Sequence, residues 1–117
     1  MISQQNIKQF HIYLADLSPQ MGTEPGKTRP VVVVQTNLLN EIHPSTIICP
    51  ITSKMEMGAQ ILRVHLLAET SGLSVDSDIL VDQIRAIDNK RFIKHIGTLS
   101  TENIEQLKKN LSIIILT

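Results

Sequence analysis

The chain has no tryptophan, one tyrosine and two phenylalanines, so aromatics make up only 3 % of its 117 residues. Val, Ile and Leu must therefore fill the interior, and a wide aromatic platform for stacking bases is not available. A single cysteine, Cys49, excludes an internal disulfide and suits a reducing compartment. Lying in the apolar run TIICPIT, it reads as a core residue. Net charge is missing too: eleven basic residues balance eleven acidic ones, so no global basic field draws nucleic acid, though a local patch remains open. No run approaches the roughly 18 apolar residues of a membrane span, and MISQQNIKQF has no apolar signal core. The expectation is a cytoplasmic protein with no membrane partner. His11, His43, His65 and His95 stand singly, without any metal-binding spacing, so no catalytic metal is expected. Nucleophile-elbow and P-loop signatures are absent as well.

What is present reads as one domain over residues 1–117, 42 % of it hydrophobic. HIYLADL, RPVVVVQTN, STIICPIT, ILRVHLL and SDILVDQIRAID are short β-branched or alternating runs separated by turn residues, which predicts five strands in a small, curled sheet. In the last run the apolar set Ile79, Val81, Ile84 and Ile87 shifts phase after Asp82, which predicts a bulge or bend. LSTENIEQLKKNL predicts an amphipathic helix, with Ser100 as its cap, Glu102 in the first turn and Ile104, Leu107 and Leu111 on one face. The closing SIIILT is too apolar for a solvated tail and reads as a final short strand. The architecture is mainly β with a C-terminal helix, a small β-barrel.

Four clusters of polar residues are candidates for chemistry. GTEPGKTRP sets Glu24, Lys27 and Arg29 before a valine-rich strand, of which Pro30 fits the first residue. Arg29 either pairs with Glu24 in a solvated turn or meets an anion from a fixed strand mouth. CPITSK ends a strand in Thr52, Ser53 and Lys54, which either satisfy local backbone or face a ligand. In VDQIRAID, Gln83 and Arg85 lie two apart and would share one side of a strand, as an exposed polar face or as readers of a base edge and a phosphate. DNKRFIKHI gathers Lys90, Arg91, Lys94 and His95, either a solvated turn or a local basic patch.

Taken in order, IYLADLSPQMGTEPGKTRPVVVVQTN, ICPITSK and VDQIRAID resemble the MazF/PemK toxins of bacterial type II toxin–antitoxin systems, over about residues 12–115. The resemblance implies a dimeric, SH3-like barrel that cleaves single-stranded RNA without metal, is held by a cognate antitoxin and binds DNA in that complex. It associates Arg29 and Thr52 with cleavage and implicates Glu24, while Lys27, Ser53, Lys54, Gln83 and Arg85 fall on the substrate side. The family's Arg-Gly-Asp-like opening turn is replaced by Gln9-Phe10-His11, where Phe10 and His11 either stack a base or pack the barrel mouth. The alternative from another class is a non-catalytic toxin or binding module of the same fold. The gyrase poison CcdB is one, but its C-terminal Trp-Gly-Ile has no counterpart in IIILT.

Overall fold

The computed structural model describes residues 6–19, 22–23, 27–58 and 61–117. In chain order they form β1 (His11–Asp16), β2 (Thr28–Val33), α1 (Asn37–Asn40), β3 (Ser45–Thr52), β4 (Arg63–Leu66), α2 (Ala68–Ser71), β5 (Ser77–Leu80), β6 (Arg85–Asp88), β7 (Phe92–Thr98) and α3 (Thr101–Leu116). The antiparallel sheet runs β4-β5-β3-β2-β1-β7, with β6 also paired to β3. This is the expected mainly β architecture with a closing helix. Its hydrogen-bonded order is open, with β4 and β7 at the two ends rather than joined in a ring.

Period-two alternation sorts the interior into two clusters, one on each face of the sheet. Ile12, Val32, Cys49, Ile51, Val64 and Ile79 belong to the first, against which α3 packs Ile104, Leu107 and Leu111. Tyr13, Ala15, Val31, Val33, Ile48, Ile87 and Phe92 belong to the second. Each fully buried aliphatic side chain contributes about 1.5–3 kcal/mol. Cys49 is part of the core as its sequence context suggested. Burial, with the charge of Asp82 adding to it, pushes its thiol up to about 12, so it stays protonated and unreactive. Tyr13 is buried with its hydroxyl satisfied at both ends, donating to the Asn6 carbonyl at 2.6 Å and accepting from the Lys8 amide at 2.9 Å.

β3 carries two successive partners along one edge. Between Ile51 opposite Ile79 and Ile48 opposite Arg85, β3 moves three residues while its partner moves six. The three surplus residues form the 3-10 turn Val81–Gln83, which tucks Val81 into the core. The phase shift after Asp82 thus becomes a turn that splits one predicted strand into β5 and β6. Gln83 consequently lies on the turn and not on a strand with Arg85.

Three further readings are corrected. SIIILT is the last turn and a half of α3, not a strand: the helix begun at Ser100 continues, and Leu111 and Ile114 still pack on the core. DNKRFIKHI holds the expected turn, a 3-10 turn at Asn89–Arg91 with Lys90, Lys94 and His95 exposed, but it runs on into β7, which gains its place by pairing with β1 some eighty residues upstream. β2 starts at Thr28, two residues before Pro30. Pro30 pairs with Leu14 of β1 while the ladder to β3 begins only at Val31, and a proline is tolerated where one neighbour is absent.

α3 also guards the exposed edge of β4. Asn103 and Asn110, seven residues apart and so on one helical face, each donate a side-chain amide at 3.2 Å to the carbonyls of His65 and Arg63. At the other end of the sheet α2 meets β7 backbone to backbone. A Cβ on Gly97 would lie 2.0 Å from the Ser71 carbonyl oxygen, and one on Gly72, whose φ is +86°, would lie 2.7 Å from that of Ile96. Neither obstacle is a movable side chain, so Gly97→Ala is expected to destabilise the fold by about 1–3 kcal/mol. Urea titration of the two proteins checks this; equal midpoints would mean that α2 shifts freely.

Candidate active site

The ladder between β2 and β3 ends at Val31 opposite Pro50. Two residues further along each strand, at their mouths, stand Arg29 and Thr52, both half-buried. The same register sets them across from each other, and alternation puts both on the face of the Tyr13–Phe92 cluster. The row continues across the sheet, because Thr52 pairs with Asp78 and Asp78 with His65. Arg29, Thr52, Asp78 and His65 therefore line one face, with about 5 Å between neighbouring strands.

Thr52 is held in a specific rotamer by the turn that follows it, since the Lys54 amide donates to its Oγ1 at 3.1 Å. An oxygen that accepts from the backbone keeps its own hydrogen free to donate, and this orients the hydroxyl toward an incoming acceptor. Ser53 and Lys54 are exposed beside it. Lys27, also exposed, sits two residues before Arg29 with φ +62°, a left-handed conformation costly for a residue with a Cβ. Its carbonyl accepts from the Leu17 amide at 2.8 Å and so ties the start of β2 to the end of β1. Arg85 opens β6 opposite Ile48, on the same face as Arg29 but across β3 from it. Gln83 occupies the neighbouring 3-10 turn. Glu24 lies outside the described residues.

A charged cluster in this row was not anticipated. The Asp78 side chain has no exposed surface. Its Oδ1 accepts from His65 Nδ1, and its Oδ2 accepts from Arg63 Nη1 at 3.1 Å and from the Glu56 amide at 3.0 Å. Arg63, His65 and Asp78 come from facing strands of the β4–β5 hairpin, some fifteen residues apart in the chain. A trace was visible in ILRVHLL and SDIL, where charges interrupt apolar alternation on what would be one face.

The atypical opening turn packs rather than projects. Phe10 lies against the first core cluster, and His11 meets His95 of β7 through ring nitrogens 3.0 Å apart. Burial, then the charges of His95 and Lys8, hold the His11 ring below its ordinary 6.5. Of the basic patch, Arg91 is occupied in donating to the Asp16 and Ser18 carbonyls at 3.0 and 2.5 Å, which secures the exit of β1. Among the described residues no group of three or more His, Cys, Asp or Glu side chains is placed to hold a metal ion, and no helix is long and apolar enough to cross a membrane.

A family model of PemK-like, MazF-like toxins of type II toxin–antitoxin systems matches residues 8–115. The endoribonuclease EndoA of Bacillus subtilis is 36 % identical over 107 residues, which are 92 % of each chain. Among solved structures, MazF from Deinococcus radiodurans superposes with a TM-score of 0.80 at 22 % identity, over 94 % of this chain and 96 % of that one. An endoribonuclease in complex with its cognate antitoxin, from a mycobacterial species, gives 0.72 at 14 % identity over 94 % of each.

The buried carboxylate carries a pH signature. Burial works to raise the Asp78 carboxyl, but the Glu56 amide, His65 and Arg63 together outweigh it and hold the group below its ordinary 3.8. A group whose folded pKa is depressed stabilises the fold above its unfolded pKa, and that contribution is lost as pH falls through the folded value. The stability difference between the protein and Asp78→Asn is therefore expected to be widest toward neutral pH and to shrink below 3.8. Urea titrations of both from about pH 6 to about pH 2 measure it; a difference that ignores pH would mean that the carboxylate is not charged in the fold.

Proposed function

We propose that this chain, which belongs to the PemK-like, MazF-like toxins of type II toxin–antitoxin systems, is an endoribonuclease that cuts single-stranded RNA at selected sequences without a metal ion. The observation that carries this reading is that the β2–β3 register, continued two residues beyond Val31 and Pro50, sets Arg29 across from Thr52 at the mouths of adjacent strands, in a chain 36 % identical to an endoribonuclease along nearly its whole length. In the reaction a 2′-oxygen attacks the adjacent phosphorus and the bond from phosphorus to the 5′-oxygen breaks. The products are a cyclic phosphate and a 5′-hydroxyl. Negative charge gathers on the phosphoryl oxygens and the leaving oxygen.

Arg29 supplies a permanently charged, planar pair of donors to that charge. The Thr52 hydroxyl, oriented by the Lys54 amide that it accepts from, donates to a phosphoryl oxygen. Glu24 is the candidate base for the 2′-hydroxyl, a role weakened by any nearby arginine that lowers its pKa. Lys27, Ser53, Lys54, Gln83 and Arg85 are assigned to the substrate side, where Lys and Arg track the phosphate chain and Gln can read a base edge.

The proposed partners follow the same logic. A cognate antitoxin is one partner, as the antitoxin complex of one structural neighbour supports, and an acidic, disordered segment of it would compete with RNA for the cationic side chains named above. A second copy of this chain is the other partner. Leu38, Ile42 and Leu116 are 85, 75 and 80 % exposed, and Phe10, Val34 and Leu111 line an open hollow of about 280 Å³ at the C-terminal end of α3. Apolar surface of this kind favours a homodimer. Sedimentation at micromolar concentration is expected to give twice the chain mass; a monomer throughout would remove that claim.

Catalysis is tested by incubating the purified protein with a long, mixed-sequence RNA in EDTA and mapping the new 5′ ends. Discrete cuts bearing 5′-hydroxyls are expected. Removing one preorganised donor typically costs about 10²–10³-fold in rate, and Arg29→Ala is expected to lose at least about that much. Intact RNA in the presence of well-folded protein would refute the activity, and a loss of roughly ten-fold or less would refute the assignment of Arg29.

A further inference from the structure

Asp78 is buried where the fold alone does not require a charge. An ion pair in the interior contributes little net stability compared with apolar side chains of the same size. Its geometry suggests what it does instead. Arg63 Nη1, held by Asp78 at 3.1 Å, also donates to the Lys54 carbonyl at 2.8 Å. Arg63 Nη2 lies 3.6 Å from the Glu56 carboxylate, and the Glu56 amide donates to Asp78 at 3.0 Å. The turn that leaves β3 is thus gripped at two backbone points by one buried pair. Lys54 links the pair to Thr52, because its carbonyl is fixed by Arg63 and its amide fixes the Thr52 hydroxyl at 3.1 Å. Asp78 is also the cross-strand neighbour of Thr52.

We propose that Asp78 is a positioning residue for catalysis, acting through Arg63 and the Lys54 backbone to aim the Thr52 hydroxyl at the scissile phosphate opposite Arg29. The inference rests on the endoribonuclease reading above. Asp78 touches no substrate in this scheme, so its loss slows the chemical step and leaves RNA affinity in place. The effect also passes through Thr52, and in a chain already lacking that hydroxyl it has nothing left to act on.

The test is a double-mutant cycle of Asp78→Asn and Thr52→Val, read as single-turnover cleavage of an oligoribonucleotide spanning one mapped cut. Binding is measured separately with the 2′-O-methyl form of the same oligonucleotide. Asp78→Asn is expected to slow cleavage at least about ten-fold with binding changed less than about three-fold, and to slow Thr52→Val hardly further, as residues acting as a unit are not additive. A purely structural role would instead lower both backgrounds by the same factor, and that result overturns the proposal, as does a wild-type rate in Asp78→Asn. Should Asp78→Asn fail to fold, Arg63→Met releases the Lys54 carbonyl and takes its place in the cycle, with the same outcomes. Wild-type protein that leaves the RNA intact overturns both the activity and this role, whereas normal wild-type cleavage with additive variants overturns this role alone.

Discussion

The molecule depends on β3 serving three strands at once. Along one edge it pairs with β2, and along the other it passes from β6 to β5 across a jump of three residues. The ladder to β2 ends at Pro50, but on the other edge Thr52 still pairs with Asp78, so the strand stays extended as far as Thr52. A strand end that is paired on one side and anchored by a turn is a firmer mount for a hydroxyl than a loop would be. On the face of the Tyr13–Phe92 cluster, β5 and β4 carry Asp78, His65 and Arg63 where β1, β2 and β6 carry apolar residues.

Each face of the sheet is consequently divided differently. One carries the apolar cluster against which α3 packs. The other is apolar over β1, β2, β3, β6 and β7 and polar over the ends of β2 and β3 and over β4 and β5. Buried polar groups are tolerated there because they are satisfied: among the described residues no buried side-chain nitrogen or oxygen lacks a partner. α3 takes part on both sides of this division. Its apolar stripe packs the core, and Asn103 and Asn110 hold the strand that carries Arg63 and His65.

The central strands and the long helix were legible because their signals are local. The β-branched or alternating runs in HIYLAD, TRPVVV and STIICPIT and the Ser100 cap with its apolar stripe need no distant residue to be read. β7 was not legible for the opposite reason: only Phe92 of its side chains is fully buried, and its pairing with β1 is set by topology. The closing SIIILT misled because β-branched isoleucines favour strands in isolation, whereas an established helix extends at little cost. Arg29 and Thr52 could be picked out by motif, yet their apposition across two strands, and the link from Asp78 through Lys54, depend on register and on a hairpin that spacing does not encode.

The seam between Gly72 and Gly97 limits how this fold can drift. When two side chains come into conflict, trimming either one relieves it, and many different second changes restore the packing. Here the opposing atoms are a carbonyl oxygen and a Cα, which no substitution makes smaller. The joint has no compensating partner to recruit: it can be kept, or the helix and strand that meet there can part, and sequences between those two outcomes are closed to it.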